Sequence, residues 1–188
     1  MADITLIAAP VLGGFNHEFS NCTLAERSDI ALISVAVPRD GDTALSTKLD
    51  TAWTLTMPTP STTTQANGMR AIPLTADQFL LAFHPDTNRT EVSVQDDLAE
   101  VGYTTVQTDA WVILELSGEG ATSALERICP LDLAPDAFPT GSAARTVMEH
   151  LGAMIVRVDN TRFWLMSARS SAMSFLHAVE TSCRWTAS

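Results

Sequence analysis

One order of elements runs twice through this chain: an apolar strand, a turn with a glycine, a short helix, a loop containing proline, a hairpin and a final helix. In the first passage, from Ile30, the residues Ile33, Val35 and Val37 alternate with Ser34 and Ala36. That is the period of a strand buried on one face. Pro38-Arg39-Asp40-Gly41 is the turn, and Asp42 or Thr43 is placed to cap the helix that carries Leu45, Leu49 and Ala52. A polar loop from Met57 to Thr64 follows. Ala71 to Leu74 and Gln78 to Phe83 read as two strands around Thr75-Ala76-Asp77, the first an edge strand because of Pro73. A helix is expected over Val94 to Val101.

The second passage repeats the first. Trp111 to Leu116 is a strand with Val112, Leu114 and Leu116 on one face, and Ser117-Gly118-Glu119-Gly120 is its turn. Ala121, Leu125 and Ile128 line a short helix ended by Pro130. After a loop with Pro135, Pro139 and Gly141, Met154 to Val158 and Phe163 to Met166 form a hairpin turned by Asp159-Asn160. Ser170 or Ser171 caps a helix with Met173, Leu176 and Val179 on one side. Gly41 matches Gly120, Leu49 matches Ile128, and Asp77-Gln78-Phe79 matches Thr161-Arg162-Phe163. Unrelated α/β chains can share an order of elements, so the matched positions carry the case for duplication. The expected fold is α+β, built of two related β-α-β-β-(α) halves with antiparallel sheets. The halves are placed at about 27–104 and 105–186.

Residues 1–26 stand outside the repeat. They hold Ile4, Leu6, Ile7, Val11, Leu12, Phe15 and Phe19 without a clear period, and Gly13-Gly14 interrupts them. They are expected to form an apolar arm that docks on a partner rather than a part of the core.

Composition narrows the function. With 188 residues, 46% of them apolar and 18% charged, the chain can bury a true core. Its formal net charge is -11, and Lys48 is its one lysine. A polyanion partner needs a basic stripe, so neither nucleic acid nor an anionic membrane surface is expected to bind. Cys22, Cys129 and Cys183 are odd in number and far apart in sequence, which points to reduced thiols. His17, His84, His150 and His177 lack ligand spacing. No lysine or arginine precedes Arg27, so no secretory leader is expected and the cytoplasm is the expected compartment. No apolar run reaches the ~20 residues of a membrane span.

Local motifs for chemistry are thin. A nucleophile needs a base in reach, and neither a G-x-S-x-G nor an H-E-x-x-H run occurs. Ser117-Gly118-Glu119-Gly120-Ala121-Thr122 stands where a phosphate loop would, between strand and helix, but it lacks the third glycine of the dinucleotide pattern and the lysine of the P-loop, and Glu119 would repel phosphate. Asp96, Asp97 and Glu100 read as a solvated helix face. Trp53, Trp111, Trp164 and Trp185 read as core or interface aromatics. Asp109 and Asp132 are the only acids placed to handle a pterin, and both also suit turns. No catalytic, cofactor-binding or metal-binding residue is therefore assigned.

Several segments, in order, resemble the gamma subunit of heterotetrameric sarcosine oxidase. They are Thr23-Leu24-Ala25-Glu26-Arg27, Ala31 to Arg39, Pro58-Thr59-Pro60, Asp77-Gln78-Phe79-Leu80 and Trp111 to Gly118. The series ends with Cys129-Pro130-Leu131-Asp132-Leu133, Ala137-Phe138-Pro139 and Gly141 to Thr146. The resemblance covers about residues 23–180. It implies a fold like that of the folate-binding aminomethyltransferases. It also implies a non-catalytic chain that supports a larger alpha subunit within an alpha-beta-gamma-delta complex demethylating sarcosine. FAD, FMN, NAD and tetrahydrofolate would then sit on the partner subunits, and no cofactor on this chain. N-methylglutamate dehydrogenase complexes contain a similar chain, so the amine stays open. A stand-alone folate-dependent one-carbon protein and a small-ligand regulatory domain are the other readings.

Overall fold

The computed structural model describes residues 9–187. Strand β3 (Ala31–Ala36) sends Ala31, Ile33 and Val35 to one side and Leu32 to the other, and all four are buried. A turn closed by Gly41 N–H on Pro38 O (2.9 Å) leads into helix α1 (Asp42–Trp53). Gly41 itself occupies the N-cap, one or two residues before the expected caps. The buried stripe of α1 is Leu45, Leu49 and Trp53; Ala52, assigned to it from sequence, is exposed. The helix ends at Thr54, which takes a left-handed φ of 55° and donates to Asp50 O at 2.7 Å.

β4 (Thr64–Ala66), β5 (Met69–Thr75) and β6 (Gln78–Phe83) form a meander. β4 pairs with β5 only as far as Ala71, so Pro73 lies beyond it on an open edge, where its missing N–H costs no ladder bond. α2 (Glu91–Leu98) starts three residues before the helix expected from Val94, because Thr90 and Ser93 form a reciprocal capping box.

In the second half, β8 (Trp111–Ser117), α3 (Ala121–Glu126), β9 (Ala143–Met148), β10 (Leu151–Asp159), β11 (Arg162–Ala168) and α4 (Ala172–Thr186) repeat that series. Gly120 is the N-cap of α3 as Gly41 is of α1. The β5–β6 and β10–β11 hairpins share a bulge at the same place, before Thr75 and before Asp159. On α4 the buried face is Phe175, Leu176, Val179 and Cys183, while Met173, expected on it, is 68% exposed.

Five strands were not foreseen: β4 and β9, which border the expected loops, and three short ones that decide the topology. β1 (Asn16–Glu18) and β2 (Thr23–Glu26) lie in the expected arm, and β7 (Tyr103–Val106) straddles the expected boundary near 104. β2 precedes β3 in the chain yet pairs with β8, Glu26 opposite Leu114. β7 precedes β8 yet pairs with β3, Val106 opposite Ile33. Each half therefore lends its lead strand to the other. The sheets read β4-β5-β6-β3-β7 and β9-β10-β11-β8-β2-β1, all antiparallel, with β1 the one strand lacking a counterpart among the described residues. The α+β fold with two antiparallel sheets holds.

The arm boundary is corrected. Cys22 and Leu24 are buried, and Val11, Leu12, Phe15 and Phe19 pack half-buried on the core of the second half. Runs of three and four residues are too short to show a period. Ile4, Leu6 and Ile7 lie outside the described residues.

Three apolar layers follow. Ile33, Val35, Leu45 and Phe79 pack between the five-stranded sheet and its helices; Leu114, Leu125, Phe163 and Phe175 do so between the six-stranded sheet and its own. The third layer, with Leu32, Leu80, Ile113, Met154 and Met166, lies between the two sheets. A strand with helices on one side and a second sheet on the other is covered on both faces.

Candidate functional site

Charged groups enter the sheet–sheet layer at one end, where a cleft of about 380 Å³ opens beside Trp164. Glu115 stands between Leu114 and Leu116 on β8, so strand alternation turns it away from the helices and toward the other sheet. Trp164 of β11 and Ala25 of β2 are its cross-strand neighbours. Arg27, just past β2, places its Nη1 2.6 Å from Glu115 Oε2, and Trp164 Nε1 donates to that oxygen at 2.9 Å. Arg27 also grips both carboxylate oxygens of Asp29, at 2.8 and 3.0 Å. The Arg27 hydrogen bond holds the Asp29 carboxyl below the usual range, and Asp29 in turn raises Arg27. His84 Nδ1 lies 3.0 Å from Asp29 O.

A second guanidinium comes from the opposite sheet. Arg70 of β5 lies 5.5 Å from the Trp164 ring centre and Arg27 lies 5.9 Å from it, so one indole receives a cation from each sheet. Arg70 is 8% exposed. It donates to Thr63 Oγ1 (2.9 Å) and to its cross-strand neighbour Gln65 Oε1, and among the described residues no carboxylate pairs with it. Desolvation accordingly pulls its pKa down. The cleft thus offers guanidinium N–H groups on an aromatic floor. Its one lining carboxylate, Glu115, is already bonded by a cation and an indole.

The two arginines predict different outcomes. Arg27→Met leaves the Glu115 and Asp29 carboxylates without their cation and is expected to cost about 1–3 kcal/mol. Arg70→Met removes a buried charge that has no carboxylate, and the melting temperature is expected to hold or rise. Thermal melts of both variants check this. A larger loss for Arg70→Met would show that its charge is compensated.

The residues weighed from sequence fall elsewhere. Asp109 has a fully solvated side chain 3.5 Å from Arg169, and Asp132 accepts the Ala134 N–H (2.9 Å) as a turn residue. The Ser117–Thr122 turn is closed to phosphate by the protein itself: Gly120 N–H donates to Asn21 O (2.9 Å), and Asn21 fills the space over both Gly118 and Gly120. Cys22 and Cys183, far apart in sequence, meet in the core, where burial pushes both thiols up. His150 and His177 border one shallow cavity, but among the described residues no three His, Cys, Asp or Glu side chains gather as a metal site would need. A larger cavity of about 730 Å³ lies where the lead strand enters; its Glu26 carboxylate holds the N–H groups of Leu12 (3.0 Å) and Gly14 (2.8 Å), so it joins chain segments. The sequence signal that marks the cleft is Glu115 itself, a charge in the middle of an apolar strand.

No protein-family model and no curated protein sequence matches this chain. Solved structures do. A chain of heterotetrameric sarcosine oxidase from Corynebacterium sp. U-96, in complex with pyrrole 2-carboxylate, superposes with a TM-score of 0.79 at 19% identity, over 92% of this chain and 88% of that one. Glycine cleavage system aminomethyltransferase T from Bartonella henselae superposes with a TM-score of 0.57 at 14% identity. That match covers 86% of this chain but only 46% of the transferase, so this chain spans less than half of it. The likenesses agree on the folate-binding aminomethyltransferase-like fold. No helix among the described residues is long and apolar enough to cross a membrane.

Proposed function

We propose that this chain is a non-catalytic accessory subunit of a heterotetrameric, flavin-dependent sarcosine oxidase, the one that supports the large alpha chain. The observation that carries the reading is the superposition on a sarcosine oxidase chain over about nine-tenths of both chains, which makes the two similar in length as well as in fold. Gamma identity rests on the ordered segments from Thr23 to Thr146. In this reading FAD, FMN, NAD and tetrahydrofolate are held by the other subunits, and the complex works in the cytoplasm. The cleft at Trp164 fits a binding or structural role, because Arg27 and Trp164 both donate to one oxygen of its carboxylate.

The test is purification of the tagged full chain from its native host. The expected result is a colourless isolated chain, and a native complex with larger flavin-bearing chains that oxidises sarcosine. Oxidation of N-methylglutamate instead would assign the chain to the related dehydrogenase complex. A yellow isolated chain, or a native chain without large partners, overturns the reading.

A further inference from the structure

The exchanged lead strands occupy equivalent seats, but only one of them is covered. Arg27 N–H donates to Ile113 O (2.9 Å) just past β2, and Gln107 N–H donates to Leu32 O (2.7 Å) just past β7. Those two bonds fix the same parity in both strands. Residues two and four positions before them point their backbone groups inward, and Glu26 and Leu24, like Val106 and Thr104, point theirs outward. On β2 the outward edge is covered: Glu26 N–H donates to Phe15 O at 2.7 Å and β1 pairs along the rest. On β7 the equivalent N–H of Val106 and the backbone groups of Thr104 face outward, and no described segment bonds to them.

The surroundings of this edge are apolar and acidic. Tyr103 is 72% exposed and Val106 is 42% exposed, both on β7; Val92, on the neighbouring α2, is 65% exposed. From Thr90 to Ala110 the chain carries Glu91, Asp96, Asp97, Glu100 and Asp109 and no Lys or Arg. Lys48 meets Asp97 and Arg169 meets Asp109, and the other three acids form no ion pair among the described residues. A short open edge with exposed aromatic and aliphatic side chains is a template for strand addition.

We propose that β7 is a β-augmentation site. An extended segment of a partner chain lies antiparallel along Thr104–Val106, as β1 lies along β2, with apolar residues over Tyr103 and Val106 and basic residues toward α2. A second copy of this chain is the poorer occupant, since it would bring the same acids together on a molecule of formal net charge -11. The proposal rests on the reading of this chain as a subunit, but on no particular enzyme.

Hydrogen exchange of the Thr104 and Val106 amides, read in the isolated full chain and in its native complex, tests it. Protection of both amides on assembly, at least tenfold, is expected. Val106→Pro blocks the outward N–H without removing a ladder bond to β3 and is expected to cut recovery of the partner at least tenfold. Tyr103→Glu, at a residue too exposed to disturb folding, is expected to cut it as well, with the melting temperature of either isolated variant close to that of the parent. Amides that exchange equally fast in both states overturn the proposal even if the complex oxidises sarcosine. Protected amides in a complex of another activity uphold it while the sarcosine oxidase reading fails. A stable dimer of the isolated chain with the same two amides protected overturns it in favour of self-pairing.

Discussion

Ile33→Asp and Leu114→Asp each leave the chain unfolded at ambient temperature. The two residues occupy equivalent places in the central strands β3 and β8, each with a neighbouring strand on both sides, and both are fully buried. A carboxylate placed there meets only apolar side chains on its helix-facing side. An uncompensated buried charge costs several kcal/mol, and loss of the packed side chain adds about 2–5 kcal/mol. Total stabilities of roughly 5–15 kcal/mol leave little after such a loss. Circular dichroism melts are the measurement. Val147→Asp, on the edge strand β9 and 47% exposed, is the control and is expected to change stability by less than about 0.5 kcal/mol. A Leu114→Asp chain melting with the parent would mean that β8 faces the other way.

Gly118→Ala tests the seat of the lead strand. Gly118 ends the β8 turn at φ +116°, and a Cβ there would lie 2.6 Å from Asn21 O and 2.8 Å from Cys22 Cα. Both clashing atoms are backbone, so β2 must shift or lift. Backbone strain of about 1–3 kcal/mol and overpacking of about 1–3 kcal/mol together predict a loss of roughly 2–6 kcal/mol. Gly152→Ala, with nothing within 4 Å of the new methyl, is expected to be neutral or slightly stabilising. Urea unfolding of the two variants gives the comparison, and equal midpoints would sink the close approach of β2 to the β8 turn. The same seat reverses what a free arm would predict for truncation. Removing residues 1–20 takes away Val11, Leu12, Phe15 and Phe19, which pack on the second core, and the melting temperature of the isolated chain is expected to fall.

A chain whose two sheets exchange lead strands cannot lose one half without disturbing the other. Among the described residues, three of the six exposed large apolar side chains, Val92, Tyr103 and Val106, lie on β7 and the neighbouring α2.

Periodicity by itself determined the long elements. Alternation found β3, β8 and the β10–β11 hairpin, helical spacing found α1 and α4, and the match of Gly41 with Gly120 and of Asp77-Gln78-Phe79 with Thr161-Arg162-Phe163 revealed the duplication, because each of these is a local consequence of a period and a turn. Only the tertiary structure decided where β1, β2 and β7 go. Their few residues carry no period, and their partners are chosen by backbone edges: Leu24 is buried because β8 has an open side, not because its neighbours alternate. The cleft divides the same way. Glu115, a charge in the middle of an apolar strand, was not singled out from the sequence, and its meeting with Arg27, Trp164 and the opposite sheet's Arg70 is long-range in sequence and arises only when two sheets, each completed by the other's lead strand, are packed face to face.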